Sequence, residues 1–299
     1  MDTTPLVSIC CITYNHAPYI RKCLEGFLIQ ETTFPIEILI HDDASTDGTD
    51  SIIREYAEKY PELVFPLYET ENQYSSEKCS LIDIKYNYSR ARGKYIAYCE
   101  GDDYWTDPHK LQKQVDFLET HPDYSVCWHR CRLFFSKDGL YEDDSCSELL
   151  HDDEDGVDID IATLLSGWYT QPLTMVFRKS SYSFDWVDLY RYYRDEHEMY
   201  HLLSVGKGYL FSFVGGVYVI HGGGVFGARS VQSQSRISCD IAEELYSRNR
   251  NTHTKRFYAE SLQWAIYQNK DIVSKKVAYS WKLFMLNGKM KPLIKNLLR

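Results

Sequence analysis

The sequence lacks the segments that direct a chain into or across a membrane. Residues 1–5 contain neither the basic region nor the apolar region of a signal peptide, and no apolar run is long enough to span a bilayer. Paired cysteine spacing is also missing, so the nine cysteines are expected to be reduced thiols. These absences predict a cytoplasmic protein.

Two further absences narrow the class of protein. With a formal net charge of −10, the chain lacks the positive charge that contacts with a nucleic-acid backbone require, so nucleic acid is not an expected partner. No glycine-rich loop follows the first apolar run, where residues 13–18 read Thr-Tyr-Asn-His-Ala-Pro. This argues against a dinucleotide oxidoreductase and against a nucleotidyltransferase, because both place such a loop there.

The last thirty residues are basic, whereas the chain as a whole is acidic. Residues 270–299 contain eight lysine or arginine side chains and one acid, Asp271, which leaves a net charge of +7. Apolar residues are interspersed among these charges. The segment is compatible with an amphipathic helix on an anionic membrane surface, or with a helix packed on the protein with its lysines in water.

Apolar runs alternate with stretches of helical periodicity in the first hundred residues. The runs at 6–13, 36–41, 63–67 and 95–99 predict buried strands, and apolar residues at helical spacing lie between them. Such alternation predicts an α/β fold with a mostly parallel central sheet.

Beyond residue 140 the pattern is sparser. An acidic stretch at 142–160 predicts a surface excursion that separates two halves, and helical periodicity resumes from about residue 237. Between them the sequence predicts a strand at 173–177 and a helix at 195–205. It also predicts two strands or a hairpin, at 209–213 and 217–220 on either side of Gly215-Gly216.

Acidic or polar side chains follow three of the predicted strands. They are Thr13, Tyr14 and Asn15 after the first, Asp42 and Asp43 after the second, and Glu100, Asp102 and Asp103 after the fourth. Because parallel strands end at one edge of a sheet, we expect these groups to lie close together. Clustered carboxylates repel each other unless a cation lies against them, which favours a divalent metal. The alternative is a solvated turn in which Asp102 or Asp103 caps the next helix.

These motifs, in this order, resemble the inverting family 2 glycosyltransferases of the GT-A type, and the match spans roughly residues 5–225. The resemblance implies a Rossmann-like nucleotide-binding sheet flanked by helices, with a C-terminal helical extension. It implies a glycosyltransferase domain at 1–230, with a nucleotide-sugar half at about 1–140 and an acceptor half at about 155–230. Residues 231–299 would form the extension.

The activity that the resemblance implies is transfer of a sugar from a nucleoside diphosphate sugar, with UDP as the expected nucleotide. The acceptor would be a saccharide or a lipid-linked oligosaccharide, as in bacterial capsule or O-antigen synthesis. Mn²⁺ or Mg²⁺ is the implied cofactor, since a dication can absorb the negative charge that develops on the departing diphosphate. A non-catalytic saccharide-binding protein on the same fold is the alternative.

The resemblance also assigns metal ligands. Asp102 matches the metal-binding carboxylate of the family, and Glu100 occupies the first acidic position of that motif, where the family usually has Asp. The role of Glu100, toward the ribose or a metal-bound water, stays open. His221 matches a histidine that can contact metal or diphosphate, although the arginine of that family segment is Val219 here.

Nucleotide contacts are implied for a second set of residues. Thr13, Tyr14, Asn15, Asp42 and Asp43 match positions around the nucleoside, and Arg92 is one of the basic residues that can approach the diphosphate. For the aspartates, an Asx-type turn that begins the next helix is the alternative.

Inversion at the sugar carbon requires a base on the face opposite the departing nucleotide. Asp195 opens a predicted helix and matches the position of the base in similar enzymes; the helix N-terminus favours its ionised form. Glu196 and Glu198 are alternatives, as is a structural role for all three as first-turn charges. The sugar, the acceptor, the linkage and the oligomeric state are not determined by the sequence.

Overall fold

The computed structural model describes residues 4–76, 83–150, 154–191, 193–224 and 229–288. The described residues contain ten strands: β1 (Val7–Thr13), β2 (Ile36–Asp42), β3 (Val64–Tyr68), β4 (Tyr95–Tyr98), β5 (Tyr104–Trp105), β6 (Tyr124–Phe135), β7 (Leu140–Asp143), β8 (Gly156–Ile159), β9 (Val176–Arg178) and β10 (Lys207–Ile220). They also contain nine α-helices: α1 (Ile20–Leu28), α2 (Thr49–Lys59), α3 (Gln73–Ser76), α4 (Lys110–Thr120), α5 (Ile161–Leu164), α6 (Asp195–Val205), α7 (Val231–Arg248), α8 (Thr252–Gln268) and α9 (Val273–Asn287).

All ten strands belong to one sheet in the first of two compact units. This unit comprises the residues up to 188 together with 198–220, and the second unit comprises 189–197 and the residues from 221 onward. The strand order is β3-β2-β1-β4-β9-β6-β10-β5, with β7 beside β6 and β8 beside β10. Strands β1 to β4 pair in parallel, as do β6 and β10, whereas β5, β7, β8 and β9 pair antiparallel. The predicted α/β fold is therefore confirmed, and its parallel character is concentrated in the first four strands.

The core of the first unit forms because β1 is apolar on both of its faces. Val7, Ile9 and Cys11 are buried, and α1 covers them with an apolar face that includes Leu24 and Phe27. A strand buried on both faces needs a continuous apolar run rather than an alternating one. That is why the sequence identified β1, β2 and β4 correctly.

The predicted pair of strands around Gly215-Gly216 is wrong. The structure has one long strand, β10, whose pairing with β6 shifts register twice between Phe211 and Gly216. A Cβ at position 215 would lie 2.8 Å from the His129 ring of β6. The glycine therefore permits close packing inside a bulged strand and does not end it.

The second unit contains three long helices, α7, α8 and α9, so the predicted C-terminal helices are confirmed. Ser230 caps α7, and Asn251 caps α8 by accepting hydrogen bonds from the backbone N–H groups of His253 and Thr254. Leu262 of α8 and Leu283 of α9 belong to its buried core. None of the helices in the described ranges combines the length and the apolar composition that crossing a bilayer requires.

Candidate active site

Three strand ends meet at the carboxyl edge of the parallel half of the sheet. Strand β1 lies between β2 and β4, and Thr13 pairs directly with Asp42 at the end of β2. After β4, the backbone N–H of Gly101 donates to the carbonyl oxygen of Ile12 at 2.8 Å. The structure thus brings together the polar segments that follow the first, second and fourth strands.

An acidic cluster lies on the segment after β4. Glu100, Asp102 and Asp103 each contribute one carboxylate oxygen, and these oxygens lie within 4.8 Å of one another. Asp103 is buried, and its Oδ1 accepts a 2.7 Å hydrogen bond from the backbone N–H of Val219 in β10. Burial, followed by the charges of Asp102 and Glu100, raises the pKa of Asp103 well above its usual value.

His16 is a neighbour of this cluster that the sequence did not single out. Its Nε2 lies 3.6 Å from Oδ2 of Asp102. The only signal in the sequence is its position directly after Thr13-Tyr14-Asn15, in the loop that follows β1. An imidazole nitrogen, which is a softer donor than a carboxylate oxygen, therefore lies beside the cluster.

The loops after β1 and β2 are joined by side-chain hydrogen bonds. Oδ1 of Asn15 accepts from the backbone N–H of Thr46 at 2.8 Å, and the backbone N–H of Asn15 donates to Oγ of Ser45 at 2.9 Å. Asn15 and Ala44 have positive φ angles of 55° and 61°, in the left-handed region that non-glycine residues rarely adopt. Such a conformation is retained only where surrounding contacts impose it, as these loop–loop bonds do.

The two aspartates after β2 are held in different ways. Asp42 accepts from the backbone N–H and the hydroxyl of Ser45, at 3.1 and 2.6 Å, and burial raises the pKa of its carboxyl. Asp43 accepts from the backbone N–H groups of Gln73 and Tyr74, at 2.7 and 2.9 Å. Their carboxylates therefore organise the loops at this edge, as the Asx-turn alternative for Asp42 anticipates.

Two more residues of the predicted nucleoside set lie at this edge. Thr13 is buried, and its hydroxyl would lie 2.9 Å from a Cβ placed on Gly101. Tyr14 is exposed, so its ring is accessible for stacking. The roles assigned to these residues stay predictions.

Arg92 is not part of this group. It precedes β4 and lies at the amino-terminal edge of the sheet, where its Nε donates to Oε2 of Glu37 at 2.7 Å. Glu37 is buried near the start of β2 and also accepts from Ser8 of β1. A residue before a strand lies at the opposite end from one that follows it, so the predicted approach of Arg92 to the diphosphate is not supported by its position.

Asp195 and His221 are in the second compact unit. Asp195 is the first residue of α6, as predicted, and its side chain is exposed. His221 follows β10, and its Nδ1 accepts from the backbone N–H of Gly223 at 3.1 Å. Their assignments as base and as metal contact remain predictions.

Comparisons with known proteins agree with this geometry. Residues 8–146 match the family model of glycosyl transferase family 2. Uncharacterized protein Rv1520 of Mycobacterium tuberculosis is 41% identical over 177 residues, which cover 58% of this chain and 47% of that protein. The UDP-Glc:alpha-D-GlcNAc-diphosphoundecaprenol beta-1,3-glucosyltransferase WfaP of Escherichia coli is 32% identical over 136 residues, 46% of each chain. The matched region thus spans about half the length of these curated relatives.

A solved structure covers nearly the whole chain. Residues 1–349 of TarS from S. aureus, in complex with UDP-GlcNAc, superpose with a TM-score of 0.63 at 17% identity, covering 97% of this chain and 89% of that one. At this identity the likeness concerns the fold alone. It agrees with the GT-A architecture that the sequence predicts.

Proposed function

We propose that this chain, whose residues 8–146 match the model of glycosyl transferase family 2, performs the transfer reaction of that family. It transfers a sugar, with inversion, from a nucleoside diphosphate sugar to a hydroxyl of a saccharide or a lipid-linked oligosaccharide in cell-surface polysaccharide synthesis. UDP-sugar is the proposed donor, because TarS binds UDP-GlcNAc and the name of WfaP specifies UDP-Glc. The acidic cluster at the carboxyl edge of the sheet is the observation that carries the proposal.

The cluster fits a divalent cation. Its three carboxylate oxygens lie close enough to share one ion, and they are the hard ligands that Mg²⁺ and Mn²⁺ accept. Asp102 and Glu100 are the proposed ligands. The nitrogen of His16 beside Asp102 favours Mn²⁺ over Mg²⁺, which binds almost only oxygen. When bound, the cation supplies positive charge that stabilises the departing diphosphate.

The neighbouring residues are proposed to bind and orient the donor. Tyr14 stacks on the base, while Thr13, Asn15, Asp42 and Asp43 shape the pocket for the nucleoside. Asp103 acts as a positioning residue, since its carboxylate ties the acidic loop to β10 through Val219. His221 is proposed to contact the metal or the diphosphate.

The base proposed for the reaction is Asp195. One carboxylate oxygen takes the proton of the acceptor hydroxyl while the acceptor oxygen bonds to the anomeric carbon. The bond between that carbon and the diphosphate oxygen breaks, and the electron pair leaves with the nucleotide. Asp195→Asn should abolish transfer and leave nucleotide affinity unchanged. Retained turnover in this variant, together with its loss in Glu196→Gln or Glu198→Gln, would move the assignment to that glutamate.

The experiment that tests the donor and the metal is calorimetry with UDP and a panel of UDP-sugars, with and without Mn²⁺. Wild-type protein should bind UDP more tightly with Mn²⁺, and Asp102→Ala should remove that gain. Glu31→Ala is a matched control, because Glu31 is an exposed acid of the same unit outside the cluster. Equal binding with and without Mn²⁺ in the wild type would exclude the metal-dependent mechanism.

The proposed location is the cytoplasm, at the inner face of the cell membrane, where a lipid-linked acceptor is reached. Residues 270–299 are the proposed contact with that membrane. Residues 289–299 of this segment lie outside the described residues.

A further inference from the structure

Helix α9 carries a row of apolar side chains in water. Val273, Val277, Trp281 and Met285 are spaced four residues apart and are 72%, 42%, 54% and 66% exposed. Residues at this spacing lie on one face of a helix. At 1.5 Å per residue, the row extends over about 18 Å. We call these four side chains the apolar row.

The apolar row is not the face by which α9 packs in its own unit. Ser280 and Leu283 are the buried residues of the helix, and Leu283 joins the core formed with Leu262 of α8. The sequence is compatible with a helix on a membrane surface and with a helix packed on the protein, and these two structures differ in where the large apolar residues lie. A helix packed with only its lysines in water would turn its large apolar residues inward, whereas α9 uses one apolar face for the core and exposes a second one. An exposed apolar patch of this kind marks an interaction surface.

The charges of α9 are of one sign. Residues 273–287 contain Lys275, Lys276 and Lys282 and no acid, and residues 288–299 add three lysines and one arginine without an acid. The chain as a whole carries −10. Lys275 and Lys282, two turns apart, lie along one side of the apolar row, and Lys282 also bonds to Glu243 of α7 at 2.6 Å. This helix is therefore complementary to a negatively charged surface that the rest of the chain would avoid.

We propose that the apolar row inserts into the headgroup region of an anionic phospholipid bilayer, with α9 lying in the plane of the membrane. Trp281 suits the interface because its indole is apolar and carries one N–H donor, while the lysines meet lipid phosphates. A second copy of this chain would bring an equally basic helix, so charge complementarity favours lipid over self-association. The inference deepens the proposed membrane location and is independent of sugar transfer, because vesicle binding is measured without donor or acceptor.

The test is co-sedimentation of the full chain with vesicles. Vesicles of phosphatidylglycerol and phosphatidylethanolamine should bind it at least about tenfold more tightly than vesicles of phosphatidylcholine. The triple variant Val277→Ser/Trp281→Ser/Met285→Ser should weaken binding to the anionic vesicles by about tenfold or more. Lys275→Gln/Lys276→Gln should weaken it roughly fivefold per lysine. Urea unfolding of each variant checks that the helix bundle is intact.

A matched control separates the apolar row from exposed apolar residues in general. Leu140 is 60% exposed in the first unit, close to the 66% of Met285. Leu140→Ser should bind the anionic vesicles as the wild type does, and Met285→Ser should bind less. Equal binding by the wild type and the triple variant would overturn the proposal. So would a dimer of the wild type that dissociates in the triple variant without any vesicle binding, because the row would then be covered by a second copy.

Discussion

Replacing Lys110 by methionine should stabilise the first unit, and the gain should depend on pH. Lys110 opens α4, but its side chain is fully buried, and Nζ lies 4.0 Å from the centroid of the Trp105 ring. Among the residues that the structure describes, none accepts a hydrogen bond from this Nζ. Burial therefore lowers the pKa of Lys110 from 10.5 to about 7.

The sign and size of the effect follow from that pKa. Between about pH 7 and pH 10.5, Lys110 keeps its proton in the unfolded chain and has lost it in the folded chain. The free energy of unfolding therefore rises as the pH rises through this range. At about 1.4 kcal/mol per pH unit, the cost of the buried ammonium below pH 7 is on the order of 5 kcal/mol. Lys110→Met fills the same space without a charge and should gain up to about 5 kcal/mol at acidic pH.

The assay is urea unfolding of wild type and variant between about pH 6.5 and 9.5. The gain should be largest at the acidic end and fall by roughly two-thirds at the alkaline end, because the wild-type lysine is then neutral in the folded state. Lys59→Met, at an exposed position in α2, is the matched control and should show no such trend. A Lys110→Met protein that is less stable than wild type at every pH would refute the reasoning and indicate that the ammonium has a favourable partner.

Three further substitutions test the site. Gly101→Ala places a Cβ 2.8 Å from Cβ of Thr13 and 3.0 Å from Cδ1 of Ile20, so it should displace the acidic loop and weaken calorimetric UDP binding by about tenfold or more. Arg92→Ala removes the partner of the buried Glu37 and should cost about 1 to 3 kcal/mol in urea unfolding, while a parallel loss of UDP affinity would contradict its place at the amino-terminal edge. His16→Gln should lower Mn²⁺ affinity by about tenfold and Mg²⁺ affinity less, and equal losses for both ions in nucleotide-free calorimetry would remove His16 from the metal site.

The parts of the fold that the sequence predicted are those specified by local pattern. Strands β1, β2 and β4 are continuous apolar runs, and their order along the chain was enough to place Thr13, Asp42 and Glu100 at one edge of a parallel sheet. The expectations that the structure does not match concern contacts between distant residues. Gly215 packs against His129, which belongs to another strand. The local sequence does not show this contact, so it suggested a break where β10 continues. Arg92 is close in sequence to the acidic loop, yet β4 itself separates the two along the sheet.

The acidic loop shows how such distant contacts change the interpretation of a motif. The sequence allowed Asp103 to be a member of a cation-binding cluster or a solvated turn residue that caps the next helix. The structure instead buries it and joins it to Val219, 116 positions away, while Gly101 is joined to Ile12 of β1. Because both bonds lead to strands of the same sheet, the sheet fixes the backbone on which Glu100 and Asp102 stand. A solvated turn would leave these carboxylates free to move apart and relieve their repulsion. A fixed loop retains the repulsion until a cation binds, so the fold itself supplies a reason for a dication at this edge.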